Sequence, residues 1–255
     1  MTMSHETRQY NIDSFWRPRE EAPEAVADRY IRMVEALTLI DPVFTPWWYL
    51  GRKKIPFDQV RAELPTLIAK DVWRQWGPAE GYRFAGSNWP KNTPRSLLLM
   101  GNAGNTMAPV GYGNNNVHLH TVSPDICPTD ASIVTYDLFR SAMLAIIEAW
   151  DVDWCLSYPT DLMRSWPKKR PGRIRLAWMS YVAPEFAPLV RPSPDIETQT
   201  VAGGGILMAA TRERFDVTNK SHLKAARAIV TAMAPFNALP WPPGTSFGTS
   251  RRRSG

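Results

Sequence analysis

His118 and His120 are the most suggestive chemical pair in the sequence. On a strand, residues two apart share a face about 6–7 Å apart, so both imidazoles could bind one metal if a third ligand joined them. Cys127 is near enough along the chain to be that ligand, and the chemistry would be metal-assisted hydrolysis. Neither Cys-x-x-Cys nor His-Glu-x-x-His accompanies the pair. Two histidines on the outer face of a strand are ordinarily exposed polar residues, so no metal is expected. Cys155, beside Trp154 in an apolar stretch, is expected to be a small core residue.

Two glycine patterns resemble catalytic motifs and fail on context. Gly244 to Gly248 matches the nucleophile elbow letter for letter, but Pro240, Pro242 and Pro243 precede it where the elbow needs a strand, and the sequence continues for only a few residues where it needs a helix. Gly203-Gly204-Gly205 has no following Lys-Ser/Thr and leads into a strand-like run, so it lacks the helix terminus of a phosphate loop. No catalytic set and no cofactor motif emerges, and a non-enzymatic protein is expected.

Binding chemistry has more candidates. Arg164, Lys168, Lys169, Arg170, Arg173 and Arg175 form a basic cluster that reads as a solvated loop, or as an anion or nucleic-acid contact. Eleven tryptophans point first to core and sheet packing. They also suit protein recognition, where Trp, Tyr and Arg dominate hot spots. Trp47-Trp48 lies between Asp41-Pro42, Pro46 and the charged run Arg52 to Lys54, an apolar pair rimmed by charge. Partner contacts are therefore expected at Trp47, Trp48 and Arg52. Asn114 in the Gly101 to Asn116 segment and Lys169 in the basic cluster are the further candidates.

The elements that must position these residues follow from periodicity. After Pro23, apolar residues at Val26, Tyr30, Met33, Val34 and Leu37 predict a helix over about 24–39, stopped by Asp41-Pro42. Val43 to Leu50 reads as an edge strand or ordered loop because Pro46 interrupts it. Phe57 to Trp76 reads as a short helix and a longer one divided at Pro65. Strands are expected at Tyr82 to Trp89, Ser96 to Met100 and Val117 to Val122, with the Gly- and Asn-rich Gly101 to Asn116 as a long loop. Asp130 is expected to cap a buried helix from Ala131 to Trp150. Strands follow at Val152 to Leu156, Arg173 to Val182, Thr198 to Val201 and Gly205 to Ala210, with Gly203-Gly204 turning a hairpin. Asn219 caps a last helix to about Met233. This order predicts an α+β fold, a mostly antiparallel sheet with helices packed on one face. A two-part plan is hinted at, without a residue-level repeat.

At 255 residues with 44% hydrophobic and 21% charged content, the chain can build a real core and lacks the composition of a disordered protein. The longest apolar run, Ala142 to Ile147, is far short of the roughly 20 residues that span a membrane. Met1 to Tyr10 shows no secretory pattern, and two cysteines make no disulfide framework, so a cytoplasmic protein is expected. Residues 1–20 read as an arm or first strand, 21–239 as a single domain, and 240–255 as a disordered basic tail. That tail holds Arg251, Arg252 and Arg253, half of the net charge of +6. The body is too nearly balanced for a basic nucleic-acid-binding domain.

Two stretches carry a family resemblance. The run Gly203-Gly204-Gly205-Ile206-Leu207, then Phe215-Asp216, Asn219, His222 and Ala225-Ala226 before a final helix, resembles the immunity protein 52 family of bacterial polymorphic-toxin systems. The front, where a helix ends in Leu37, Asp41-Pro42 and Trp47-Trp48, resembles it too. The resemblance implies a non-enzymatic α+β protein, without cofactor or metal, that binds and neutralises a cognate toxin encoded beside it. Such toxins are commonly nucleases of the restriction-endonuclease fold, and type VI secretion is an expected setting. With a sequence pI near 9.4, the contacts are expected to be aromatic or to meet an acidic patch on the partner.

Overall fold

Alternation builds the centre of the fold. Along β1 (Gln9–Trp16), Tyr10, Ile12, Ser14 and Trp16 are all buried, and they project to one face. The computed structural model describes residues 9–72, 81–88, 95–104, 113–121, 134–166, 173–194 and 196–240. Within it β1 is no arm: it lies between β6 (Gly113–Thr121) and β7 (Trp154–Pro159), antiparallel to both. Around it runs one ten-stranded sheet in the order β3-β2-β4-β5-β6-β1-β7-β8-β10-β9, with every described pairing antiparallel. The remaining strands are β2 (Trp48–Leu50), β3 (Lys54–Pro56), β4 (Tyr82–Ser87), β5 (Arg95–Ala103), β8 (Met179–Val182), β9 (Glu197–Thr200) and β10 (Ile206–Ala209).

The helices follow local rules. Helix α1 (Pro23–Ile40) starts at its proline and buries Val26, Ala27, Tyr30, Met33, Val34 and Leu37 along one stripe. It gives way at Asp41, whose carboxylate accepts the Val43 amide at 2.7 Å. Helices α2 (Phe57–Val60) and α3 (Leu64–Lys70) are separated by a 3-10 turn at Arg61–Glu63, with Pro65 in the first turn of α3; the longer helix expected to reach Trp76 ends at Lys70, and Trp76 lies outside the described residues. Helix α4 (Tyr136–Trp150) begins where Thr135 accepts the Leu138 amide at 3.2 Å. This corrects the expected start at Ala131: Thr135 supplies the capping oxygen, Val134 is not helical, and Asp130 lies outside the described residues. Asn219 caps α5 (Lys220–Ala232) through the Ser221 amide at 2.9 Å, and α6 (Ala234–Asn237) follows.

Two strand expectations change. Gly101 to Asn116 is not all loop, because Gly101 and Asn102 pair with Asn115 and Asn114 within β5 and β6. Each of those strands is held on its other side as well, by β4 and β1, and two ladders outweigh the poor strand propensity of Gly and Asn. Conversely, only Met179–Val182 of the Arg173 to Val182 stretch is strand, since Ile174 is bonded to Asn237 of α6 instead.

The fold is α+β. Helices α1, α3 and α4 form a connected layer, and α4 packs on β1 and β7. Between layer and sheet, Trp150 stacks on Trp16 and on Phe84, each at a 4.8 Å centroid distance, and its Nε1 donates to Met33 Sδ at 3.2 Å. The carboxy-terminal pair reaches the opposite face, where Phe236 of α6 meets Trp154 and Phe186. Trp16, Trp47, Trp150, Trp154, Trp166 and Trp178 are all in the core. Cys155 is fully buried, and burial pushes its thiol well above the ordinary range. Among the described residues no helix is long and apolar enough to cross a membrane.

Candidate functional site

The four expected contact residues that are described, Trp47, Trp48, Arg52 and Asn114, do not converge. Trp47 is 5% exposed, and its Nε1 donates to the Tyr30 hydroxyl at 2.8 Å, so its ring belongs to the core. Trp48, next along the chain and therefore on the other side of the strand, is half-buried beneath the Lys54 ammonium, 4.8 Å from its ring centroid. Arg52 is exposed in the β2–β3 turn. Asn114 lies on β6, three strands along the sheet from β2, paired with Asn102 and Phe15. Lys169 is outside the described residues, as is Cys127, while His118 and His120 occupy alternate positions of β6.

Of the basic cluster, Arg173 and Arg175 have described side chains, and neither is a freely solvated charge; Lys168, Lys169 and Arg170 lie outside the described residues. Arg173 is buried, donating to the Leu239 and Pro240 carbonyls at 3.0 and 2.9 Å while lying over Trp154 and Phe236. Arg175 lies over the Trp166 ring at 4.7 Å, and burial lowers its pKa. The end of α6 holds Arg173 and the Trp166 ring backs Arg175, a packing that a charge count does not reveal.

What the structure does assemble is a cleft of about 880 Å³ beside α4. Leu144, Ile147 and Glu148 of α4 form one wall, Tyr181 of β8 and Gln199 of β9 another, and Arg17, Asp153 and Glu185 close the end. Glycine builds the second wall. Gly203 and Gly204 take φ of 84° and 95°, the left-handed region that turns β9 into β10. At Gly205 a Cβ would come within 2.5 Å of the Tyr181 ring, so glycine lets that ring lie on the backbone.

The charges around the cleft are held in place. Arg17 Nε donates to Asp153 Oδ2 at 3.1 Å, and its Nη1 meets Glu185 at 2.6 Å. Burial disfavours the Arg17 cation, but the two carboxylates outweigh it and the pKa is raised. Arg29 bridges Glu21 at 2.6 Å and Asp151 at 2.8 Å, the latter at the left-handed end of α4. From α4, Arg140 donates through Nε and Nη2 to Gln199 Oε1 at 3.0 and 2.8 Å. Arg17 is half exposed, so its pairs add little stability, about 0–1 kcal/mol each. Their effect is to fix where charge stands around an apolar floor. The described residues contain no group of three or more His, Cys, Asp or Glu able to hold a metal.

One polar site went unnoticed in the sequence. Asp13 accepts the Tyr158 hydroxyl at 2.6 Å, and burial raises its pKa to about 6 against the opposing pull of Tyr158 and Arg175. Only the strand period hints at it, since Asp13 belongs to the face opposite Ile12.

In the carboxy-terminal motif, Phe215, Asp216 and His222 pack together. Phe215 is buried with its ring 5.5 Å from that of His222, and His222 Nδ1 accepts the Asp216 amide at 3.1 Å. With this geometry in hand, comparison with known proteins gives a consistent picture. A family model described as Immunity protein 52 matches residues 8–235. Among solved structures, the Pseudomonas aeruginosa T6SS protein PA0821 is similar in fold, with a TM-score of 0.51 at 11% identity, covering 89% of this chain and 73% of that one. No curated protein matches. Since the family match takes in all of β1 to β10 and runs into α6, the chain belongs to the immunity protein 52 family.

Proposed function

We propose that this protein neutralises a cognate bacterial toxin by binding it directly and stoichiometrically. The observation that carries the reading is the family match over residues 8–235, which takes in the sheet, the helical layer and both walls of the cleft. The cleft suits recognition: its apolar floor and fixed charges offer shape and orientation to a partner, and its arginines and carboxylates largely satisfy one another. The fold neighbour is a T6SS protein, so we place the toxin among type VI effectors, with a restriction-endonuclease-fold nuclease as the first candidate and the cytoplasm as the site of protection.

Co-expression with the product of the adjacent gene tests this. Cells carrying the toxin alone should die, and cells carrying both should grow. The two proteins should also co-elute in a fixed ratio. A neighbour that is harmless alone, or that stays lethal beside this protein, overturns the reading.

A further inference from the structure

We infer that the free edge of β9 is the surface on which the toxin docks, by adding an extended segment of its own chain as the next strand of the sheet. This rests on the immunity reading above.

The two edges of the sheet differ. The β3 edge carries Lys54 and Pro56, the residue types that block strand addition. The β9 edge reads Glu197-Thr198-Gln199-Thr200 and has neither lysine nor proline. Its ladder shows which backbone groups remain open. Val201 N donates to Gly205 O at 2.9 Å, which makes Val201 and Gly205 a hydrogen-bonded pair. By the alternation of antiparallel ladders, Gln199 and Glu197 then also turn their amides and carbonyls toward β10. Thr198 and Thr200 turn theirs outward, and both residues are exposed. No backbone partner within the described residues takes up those outward groups.

The cleft lies directly beside this edge. Cross-strand neighbours share a face, so side chains of an added strand that lie opposite Gln199 would project on the side of Arg140 and Leu144. There they would stand next to Gln199 and the Arg140 guanidinium that donates to it, at the β9 side of the cleft. The fitting segment is therefore an extended one that makes main-chain hydrogen bonds to Thr198 and Thr200 and turns alternate side chains toward Gln199.

The test is calorimetric titration of the full-length protein with a catalytically inactive form of the adjacent gene product. Thr198→Pro and Thr200→Pro each remove one outward amide that the native ladder does not use. Each should weaken binding by about tenfold or more while leaving the melting temperature within about 2 °C of wild type, whereas Thr198→Ala and Thr200→Ala should bind as wild type does. Hydrogen exchange on the unmodified protein supplies a readout independent of substitution: the Thr198 and Thr200 amides should become protected only in the complex. Unchanged exchange at both overturns the inference, as do proline variants that bind normally. An Arg52→Glu variant that alone abolishes binding would move the interface to the opposite edge, and a toxin-free dimer lost in the proline variants would assign β9 to a second copy. If the wild-type protein does not bind the toxin at all, the immunity reading itself fails, and the edge assignment with it.

Discussion

Replacing Trp47 by alanine should unfold the protein rather than release a partner. The indole is 5% exposed and its Nε1 donates to the Tyr30 hydroxyl at 2.8 Å, which in turn donates to the Ala85 carbonyl at 3.3 Å. Gly86 leaves room for this contact, since a Cβ there would approach Trp47 Nε1 to 2.6 Å. Removing the ring opens a cavity against fully buried Tyr30, so Trp47→Ala should cost about 3–5 kcal/mol. The hydrogen bond accounts for about 0.5–1.5 kcal/mol of that, and Trp47→Phe should show mainly this smaller part together with a modest void. At roughly 2–4 °C per kcal/mol for a chain of this size, Trp47→Ala should melt about 6–20 °C early. Trp48→Ala removes a half-buried ring and a cation–π contact worth about 0.5–1 kcal/mol, and should cost less than about 2 kcal/mol in all. Urea denaturation followed by toxin titration below the transition separates stability from binding. A loss of stability under about 1 kcal/mol for Trp47→Ala, or a folded variant with much weaker toxin affinity, refutes the core assignment.

Three other outcomes are expected. Gly205→Ala should destabilise by about 1–3 kcal/mol in chemical denaturation, because the Tyr181 ring is 3% exposed and has nowhere to swing; an unchanged midpoint would show that it can move. Arg173→Met should cost about 2–4 kcal/mol and raise hydrogen exchange selectively in α6, whose trailing carbonyls it binds, whereas uniform exchange would deny the clamp. Asp13 has a folded pKa of about 6 against an ordinary 3.8, so its contribution to stability is fully present below about pH 4 and is lost as pH rises through about 6. Asp13→Asn should therefore gain melting temperature relative to wild type between pH 4 and pH 7, and parallel pH profiles for the two proteins would count against the assignment.

Features governed by near neighbours could be read from the sequence. The start of α1 at Pro23, its stop at Asp41, the second helical piece with Pro65 in its first turn, the Gly203-Gly204 turn and the Asn219 cap each depend on a few adjacent residues. The order of these elements gave the α+β class, and the motif at the carboxyl end pointed to the family. Tertiary structure decided the rest. Nothing near β1 says that its partners are β6 and β7, which makes the first strand an interior one. Trp47 and Trp48 are indistinguishable by type and spacing until the helical layer covers one side of their strand and Trp47 turns out to be the ring beneath it. Arg173 and Arg175 read as a solvated charge run because sequence records charge, whereas α6 and Trp166 decide what lies over it. The cleft was invisible for the strongest version of this reason. Its walls come from α4, the end of β1, β8 and β9, and only long-range packing brings those segments together.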